Sequence, residues 1–289
     1  MPAVPAAMRT VAARMERLSV IWSRTTVGPE LSVDGRSLSR QFRRWFGVAR
    51  IVLPMSSIKL IIFDIAGTII VDRGEVLLAF SAALRKHGVD FPEFELEEWK
   101  GASKHAVIQH FVTRQFGDGP KYEQKVAAVY EDFRRALESH YQNNGVLPIP
   151  GAGQTFDWVR QQGIRMANTT GFSREVSELI LKKAGWAKLF AANISSSDVG
   201  SGRPAPYMIF RAMEATGVTS VREVVNVGDT PLDLQAGTNA GVRGVIGVLT
   251  GFHGRERLER EQHTHILASL AELPAVIERD YSGSGGRSQ

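Results

Sequence analysis

The sequence predicts an α/β protein built on a doubly wound, Rossmann-like parallel sheet, with an all-helical cap inserted after the first strand. Two observations support this fold class. Short apolar, β-branched runs alternate with amphipathic helical stretches along much of the chain, which is the pattern of parallel strands joined by helices. Between residues 73 and 145 the alternation stops and helical patterns follow one another. This interruption favours a separate helical cap.

The first predicted strand is the run IKLIIFD, which ends at Asp64. A short, continuous apolar run of this kind indicates a strand that is buried on both faces. Similar runs are GIRMANTT, LFAANIS, EVVNVGD and GVIGVLT, at 163–170, 189–195, 223–229 and 244–250. A helix is predicted over SREVSELILKKAG, with Ser173 as its cap and Gly185 as its end. Strands and helices therefore alternate as a doubly wound sheet requires.

These patterns divide the chain into four predicted parts. Residues 1–54 form a basic extension, interpreted as a poorly ordered leader, with a targeting peptide or a basic interaction arm as the alternatives. Residues 55–72 and 146–281 form the α/β core. Residues 73–145 form the helical cap, and residues 282–289 form a flexible tail of linker-like composition.

Composition excludes several classes of function. The chain of 289 residues has no cysteine, which rules out disulfides, thiolate metal ligands and a thiol nucleophile. Residues 1–54 hold nine arginines, no lysine and three acidic residues, a net charge of +6 against +5 for the whole chain. The rest is therefore close to neutral, and the charge gives no evidence for a nucleic-acid surface on the main body. No apolar run is long enough for a membrane span, and a cytoplasmic location is expected.

Four polar signals lie where predicted strands end. Asp64 ends the first strand, Thr170 ends the second, Arg203 lies in the loop after the third, and Asp229 ends EVVNVGD. Parallel α/β sheets bind their ligands beyond the carboxyl ends of their strands. We therefore expect these four side chains to meet at one edge of the sheet.

At these residues the chain resembles the haloacid dehalogenase superfamily, over residues 57 to about 275. Asp64-Ile65-Ala66-Gly67-Thr68 is similar to the first motif of that family, Asp-x-x-Gly-Thr. Thr170 matches the second motif and Arg203 the third, where most members have lysine. The stretch GDTPLD, with Asp229 and Asp233, is similar to the fourth. The resemblance implies a hydrolase that forms an aspartyl-phosphate.

The resemblance also implies a Mg²⁺ cofactor and a set of oxygen ligands for it. Asp64 would be both the nucleophile and a ligand, joined by the Ala66 carbonyl and Asp229. Asp233 would act as a further ligand or would support the others. Mg²⁺ favours oxygen donors, and a cation is needed because the phosphoryl charge repels a carboxylate nucleophile.

The phosphoryl group is expected to bind to residues of the first three motifs. The Arg203 guanidinium and the Thr170 hydroxyl would hold phosphoryl oxygens, with Thr68 and Gly171 as further binding residues. Arg203 would also take part in catalysis. A planar guanidinium in place of lysine is a real difference, because it presents a fixed fork of donors.

Ala66 is the informative departure from the usual pattern. Ordinary phosphatases of the superfamily have an aspartate there, which protonates the departing alkoxide. A methyl group cannot do this. The form DIAGT, together with GRPAPY, resembles the phosphonoacetaldehyde hydrolase branch. In that branch the leaving group is carbon, and a cap lysine forms an imine that accepts the electrons of the C–P bond.

The candidate for that lysine is Lys104, which follows Gly101 in a Gly-x-x-Lys pattern. The role requires a position near the active site and a lowered pKa. Two residues depart from the branch: Val107 stands where a histidine is usual, and Phe172 where a tyrosine is common. His105 lies next to Lys104 but points elsewhere on a helix. The other lysines of the helical region match less well and are expected to be solvated: Lys86, Lys100, Lys121 and Lys125.

Three hypotheses of function remain open at this stage. The first is a Mg²⁺-dependent, phosphonatase-like hydrolase that cleaves the C–P bond of phosphonoacetaldehyde or a related phosphonate. The second is a phosphomonoesterase for a small phosphorylated metabolite. The third, from another class, is a binding or regulatory module with vestigial chemistry. The expected partner is a small phosphonate or phosphate, with no nucleic acid and no membrane, and the resemblance is compatible with a homodimer.

Overall fold

The computed structural model describes residues 57–117 and 119–282. Within that part of the chain, six strands form one parallel sheet in the order β3-β2-β1-β4-β5-β6. Helices follow the strands, so the doubly wound α/β fold predicted from the sequence is confirmed. The expectations for residues 1–54 and for the tail beyond residue 282 lie outside the described residues.

The strands coincide with the predicted apolar runs, and a sixth follows them. They are β1 Leu60–Phe63, β2 Arg165–Thr170, β3 Ala192–Ser195, β4 Val224–Gly228, β5 Gly244–Val248 and β6 His265–Leu267. The described helices are α1 Glu75–Lys86, α2 Glu93–Glu98, α3 Lys104–Phe116, α4 Pro120–Asn144, α5 Ala152–Gln161, α6 Arg174–Lys183, α7 Tyr207–Thr216, α8 Pro231–Ala240, α9 Arg255–Leu258 and α10 Leu273–Asp280. Short 3-10 turns lie at Ser196–Asp198, Val221–Glu223 and Leu270–Glu272.

Strand β1 is the centre of the core and is buried on both faces. Ile61 and Phe63 point into one hydrophobic cluster, whereas Leu60 and Ile62 point into another on the opposite face. The Phe63 ring meets the edge of Phe156 from α5 at a centroid distance of 5.3 Å. Helices cover both faces of the sheet, which explains why this strand is apolar throughout rather than alternating.

Residues 75–144, here called the helical segment, hold α1 to α4 between β1 and the rest of the sheet. The segment has its own apolar contacts: Phe80 of α1 stacks on Phe133 of α4 at 4.2 Å between ring centroids. Val107 and Phe111 of α3 are fully buried in the same cluster. Amphipathic faces that pack on one another account for helices in a stretch without strands. None of the helices in the described residues is both long and apolar enough to cross a bilayer.

Candidate active site

The acidic residues of the first and fourth motifs meet at the carboxyl edge of the sheet. Asp64 follows β1, Asp229 follows β4, and Asp233 lies in the first turn of α8. Each offers a carboxylate oxygen, and the three oxygens lie within 4.8 Å of one another. The strands β1 and β4 are adjacent where the strand order reverses direction, and such a switch point is where open α/β sheets bind ligands.

Arg203 joins these acids from the loop after β3. Its Nη1 lies 2.7 Å from Asp64 Oδ1 and 2.8 Å from Asp233 Oδ1. Its Nη2 donates to the carbonyl of Thr169 at 2.6 Å and to the Thr169 hydroxyl at 3.0 Å. The guanidinium is therefore fixed by the end of β2 while it neutralises part of the acidic cluster.

Burial disfavours the charged forms of the residues in this cluster. It raises the pKa of Asp229 well above the usual range, and the charges of Asp64 and Asp233 add to the effect. Burial also raises the pKa of Asp233 to about 6, although Arg203 opposes the rise. For Arg203 itself, burial alone would lower the pKa, but Asp233 and Asp64 outweigh it and the pKa is raised. Three buried acids around one cation leave excess negative charge.

The chemistry of the donor atoms in this cluster fits a divalent metal ion. All three acids of the cluster are buried, and each offers one carboxylate oxygen that lies within 4.8 Å of the other two. Asp233 Oδ1 contacts Arg203 without forming a hydrogen bond. Hard oxygen donors and uncompensated negative charge are what Mg²⁺ requires. Ala66 lines the same cavity, but its predicted carbonyl ligation stays a prediction.

Two glycines explain how Asp229 comes so close to the backbone. Gly67 of the Asp-x-x-Gly-Thr motif has φ +85°, and a Cβ there would lie 2.4 Å from Asp229 Oδ2. A Cβ on Gly251, in the loop after β5, would lie 1.8 Å from the same atom. Any larger residue would displace Asp229. The glycine of the first motif is thus required by both backbone conformation and space.

Thr68 and Thr170 occupy different positions, although both were predicted to bind phosphate. Thr170 and its neighbour Gly171 line the cavity in front of Asp64. Thr68 has no exposed surface, and its hydroxyl donates to Asp229 Oδ1 at 2.9 Å. It does not line the cavity. The Thr68 hydroxyl therefore orients an acid in this structure, and the predicted part of Thr68 in phosphate binding stays a prediction.

A cavity of about 540 Å³ opens beside Asp64 and is lined by both the sheet edge and the helical segment. Ala66 lines it next to Asp64 and places a methyl group there. Lys104 lines it from the start of α3. The cavity therefore contains a carboxylate nucleophile candidate and an amine, without an acid at position 66.

Lys104 is buried, with only 8% of its surface exposed. Its Nζ donates to the Ala102 carbonyl at 3.3 Å and lies 5.3 Å from the centroid of the Phe172 ring. Burial lowers the pKa of this amine; Asp64 opposes the shift and Arg203 adds to it. The structure thus places Lys104 near Asp64 with a shift in the direction that an imine-forming lysine needs.

The segment reaches the sheet because two glycines allow it to approach. Gly101 has φ +86°, and a Cβ there would lie 2.4 Å from Thr230 Oγ1. A Cβ on Gly171 would lie 2.2 Å from the Ala102 carbonyl oxygen. The Lys104 amide donates to the Gly171 carbonyl at 3.2 Å. These contacts fix the residues before α3 against the ends of β2 and β4.

Val107 and Phe172, the two residues that depart from the family pattern, bring apolar side chains to this region. Val107 is fully buried in the hydrophobic cluster of the helical segment. Phe172 lines the cavity and meets Tyr141 edge-on at 6.5 Å. His105 points away from the cavity, where its ring meets Tyr130 at 5.3 Å. Neither Val107 nor Phe172 can carry a proton for Lys104.

Sequence reasoning missed several residues that line the cavity. Lys100, which was not selected as a site residue, is half-buried and lines the cavity, with its Nζ 3.5 Å from the centroid of the Phe252 ring. Asp72 and Phe252 line it too. Thr250 and Gly251 lie two and three residues after the end of β5, so the rule that ligands bind beyond strand ends could have found them. No comparable sequence signal marks Lys100.

The parallel sheet and the acidic cluster at its carboxyl edge define an α/β protein with a candidate metal site beyond its strand ends. The chain belongs to the haloacid dehalogenase-like hydrolase family, whose sequence model matches residues 61–248. It is 30% identical over 265 residues to a phosphonoacetaldehyde hydrolase of Parabacteroides distasonis, which covers 78% of this chain and 97% of the relative. A phosphonoacetaldehyde hydrolase of Bacillus cereus is 29% identical over 245 residues, with 80% and 90% covered.

Solved structures show the same fold. A phosphonoacetaldehyde hydrolase-like protein from Oleispira antarctica superposes with a TM-score of 0.64 at 20% identity, over 79% of this chain and 96% of that one. The protein CbbY from Rhodobacter sphaeroides, solved in complex with phosphate, gives 0.63 at 21% identity, over 75% and 96%. At these identities the likeness concerns the fold alone.

Proposed function

We propose that this protein is a Mg²⁺-dependent hydrolase that cleaves the C–P bond of a phosphonoaldehyde, through an aspartyl-phosphate on Asp64 and an imine on Lys104. The observation that carries the proposal is the buried amine of Lys104 in the same cavity as Asp64, where Ala66 supplies no acid. The relatives named phosphonoacetaldehyde hydrolase support the same reaction.

The sheet edge would perform the phosphoryl transfer. The Asp64 carboxylate attacks phosphorus and forms a new O–P bond. Arg203, held by Thr169 and paired with Asp64, keeps the nucleophile oriented and offers donors to phosphoryl oxygens. Asp64, Asp229 and Asp233 would hold Mg²⁺, which supplies positive charge against the repulsion between carboxylate and phosphoryl group.

Lys104 would make the carbon a leaving group. The neutral amine adds to the aldehyde and loses water to give a protonated imine. As the C–P bond breaks, its electron pair moves into the imine and forms an enamine. Protonation of the enamine carbon and hydrolysis of the imine then release acetaldehyde, in the case of phosphonoacetaldehyde, and free the lysine. Water then cleaves the O–P bond of the aspartyl-phosphate, which releases inorganic phosphate and restores the Asp64 carboxylate. No alkoxide forms, so the departure of the leaving group needs no acid at position 66.

The helical segment would act as the cap of the site, as the sequence predicts for residues 73–145. Its residues Gly101 and Ala102 lie against Thr230 and Gly171 of the sheet side, and Lys104 follows directly. Shielding from water would favour the neutral amine and protect the imine. In this proposal the segment contributes the lysine and the sheet contributes the nucleophile.

A product assay tests the proposal. The protein is incubated with phosphonoacetaldehyde and, separately, with small phosphate esters, in Mg²⁺ and in chelator. Release of phosphate and acetaldehyde in equal amounts, only with Mg²⁺, is the expected result. Rapid phosphate release from esters without turnover of the phosphonoaldehyde would replace it with the phosphomonoesterase hypothesis. No turnover and no binding of vanadate would support a vestigial module.

A further inference from the structure

The imine steps at Lys104 need a group that gives and takes a proton. The adduct of the amine and the aldehyde carries a hydroxyl group, which leaves readily as water only when it receives a proton. Hydrolysis of the final imine reverses this step, so a base must then accept a proton from the attacking water. Val107 and Phe172 are apolar and buried. The proton carrier must therefore be sought elsewhere in the cavity.

Asp72 is the one carboxylate outside the acidic cluster among the cavity-lining residues that the structure describes. It lies in the connection between β1 and α1 and lines the same cavity as Lys104. The other carboxylates of this lining, Asp64 and Asp229, belong to the acidic cluster. Neither phosphoryl transfer nor metal binding, as proposed above, uses Asp72.

Asp72 influences Lys104 electrostatically without forming an ion pair with it. Burial lowers the pKa of the Lys104 amine, and the negative charges of Asp64 and Asp72 are among the effects that oppose this shift. Within the described residues, Lys104 Nζ has no carboxylate at ion-pair distance and donates to the Ala102 carbonyl. Two groups that share a cavity and influence each other without contact leave room between them for the oxygen of an aldehyde.

Local hydrogen bonds hold the Asp72 side chain but occupy only one of its oxygens. Oδ1 accepts from the Gly74 amide at 2.8 Å, whereas Oδ2 has no hydrogen bond to any described residue. The turn itself is fixed by Glu75, which accepts from the Arg73 amide at 2.7 Å and from the Tyr141 hydroxyl at 3.2 Å. Asp72 is half-buried. Its second oxygen is therefore held in place and open to a proton.

We propose that Asp72 is the residue that carries the proton in the imine steps of the proposed reaction. The proposal rests on the proposed function, because it requires an adduct between Lys104 and an aldehyde. It assigns the helical side of the cavity two chemical groups, an amine that forms the imine and a carboxylate that moves its proton.

The proton balance of these steps closes on the two residues. The Asp72 carboxylate accepts a proton from the Lys104 ammonium through a water molecule. The neutral amine adds to the carbonyl carbon, and one of its protons moves to the carbonyl oxygen. The Asp72 carboxylic acid then protonates this hydroxyl, the C–O bond breaks with its electron pair on the departing water, and the nitrogen lone pair forms the C=N bond. Hydrolysis of the final imine runs the same transfers backwards.

Asp72→Asn distinguishes proton transfer from a purely electrostatic role by the sign of its effect. The carboxylate raises the pKa of Lys104, so its removal leaves more of the amine neutral at a given pH. An electrostatic role alone therefore predicts imine formation as fast as in the wild type, or faster. Loss of a proton carrier predicts imine formation that is roughly 10²–10⁴-fold slower. Asparagine keeps an oxygen that can accept from the Gly74 amide, so the turn should persist.

Rapid mixing with phosphonoacetaldehyde in Mg²⁺, followed by borohydride at increasing times, measures the rate of imine formation. Asp90→Asn is the matched control, because Asp90 is exposed in the helical segment and does not line the cavity. The expected result is slow adduct formation in Asp72→Asn alone, with vanadate binding unchanged in both variants. A rate in Asp72→Asn equal to or above that of the wild type would overturn the proposal.

Rescue by a small acid separates proton transfer from structural damage. Asp72→Ala lacks the carboxyl group, and added formate should restore part of its rate of imine formation, with no effect on the wild type. Absence of rescue together with lost vanadate binding would show a structural role and refute the proposal. If the wild type forms no adduct and releases no phosphate, the proposed function fails as well. An adduct that forms equally fast in the wild type and Asp72→Asn refutes the assignment of Asp72 alone.

Discussion

The two sides of the cavity differ in how their charges are held. At the sheet edge, Asp64 and Asp233 share the Arg203 guanidinium, and Asp229 accepts a hydrogen bond from Thr68. On the helical segment, Lys104 makes a long hydrogen bond to Ala102 and Lys100 lies over an aromatic ring. The acids are thus fixed by ion pairs and short hydrogen bonds, whereas the lysines are not.

This difference suggests a division of labour. A fixed group of acids and a guanidinium suits phosphoryl transfer, which depends on preorganised charge. A buried amine without a carboxylate partner keeps a lowered pKa, and it can act as a nucleophile towards an aldehyde. The sheet edge would therefore determine that phosphorus is attacked, and the helical segment would determine which bond to phosphorus breaks. Changes on the two sides should then have different effects.

The largest effect is expected from Asp64→Asn. The amide is a poor nucleophile, so turnover of every substrate should fall by about 10⁴-fold or more. Phosphate release from both a phosphonoaldehyde and a phosphate ester measures this. Asp157→Asn, at an exposed ion pair with Arg160 on α5, is the control and should retain activity. More than about one-hundredth of wild-type turnover in Asp64→Asn would exclude Asp64 as the nucleophile.

Lys104→Arg should separate the two sides. Arginine keeps the positive charge but cannot form an imine, so cleavage of phosphonoacetaldehyde should fall by about 10³-fold or more. Binding of vanadate with Mg²⁺ should stay within about threefold, because the sheet edge is unchanged. Steady-state kinetics and vanadate titration give the two values. Equal losses in both measurements would show that Lys104 is needed only for the integrity of the site.

Gly101→Ala tests whether the approach of the segment to the sheet positions Lys104. The new Cβ would lie 2.4 Å from Thr230 Oγ1, so the turn before α3 must shift. A displacement of about 1 Å near a reacting group can cost up to about 10²-fold in rate. The control is Gly88→Ala in the same helical segment, where φ is also positive but no atom lies within 4 Å.

The two glycine variants should therefore lose a similar amount of stability but differ in kcat. Strain at a positive φ destabilises each by about 1 kcal/mol, which thermal unfolding measures. Gly88→Ala should keep nearly full activity. If both variants lose activity in proportion to their loss of stability, the close approach has no separate role in catalysis.

A smaller effect is expected in the pH dependence of kcat/KM, and its direction can be predicted. Burial lowers the pKa of Lys104 from its ordinary value of 10.5. Only the neutral amine adds to an aldehyde, so kcat/KM for the phosphonoaldehyde should rise with pH through the lowered pKa and level off above it. The rise should therefore be complete at a pH below that of an exposed lysine. A kcat/KM that does not rise with pH at all, or that rises only with a pKa near 10.5, would contradict this.

Much of the sheet edge could be predicted from the sequence. A buried parallel strand must be apolar, so a polar residue directly after it is conspicuous, and Asp64, Thr170 and Asp229 were found in this way. The hydrogen bond from the Thr68 hydroxyl to Asp229 could not be predicted, because it depends on which strand lies beside β1. The adjacency of β1 and β4 follows from the strand order, which no local sequence pattern indicates.

The helical segment was harder to interpret. A lysine at the start of a helix is usually solvated, and the burial of Lys104 depends on contacts of Gly101 with Thr230 and of Ala102 with Gly171. These partners are distant in sequence. Lys100 was missed for the same reason, since its aromatic neighbour Phe252 comes from the loop after β5. Periodicity predicts that a helix forms, but it does not show where the helix ends against another element.

Borohydride trapping tests the central claim most directly, that Lys104 forms an imine. The protein is mixed with phosphonoacetaldehyde, reduced, digested and mapped by mass spectrometry, with Lys104→Arg and Lys125→Met treated in parallel. The expected result is one reduced adduct on the peptide that contains Lys104, absent from Lys104→Arg and unchanged in Lys125→Met. Phosphate release from phosphonoacetaldehyde without an adduct on any lysine would contradict the imine, and an adduct on a different lysine would contradict the assignment to Lys104.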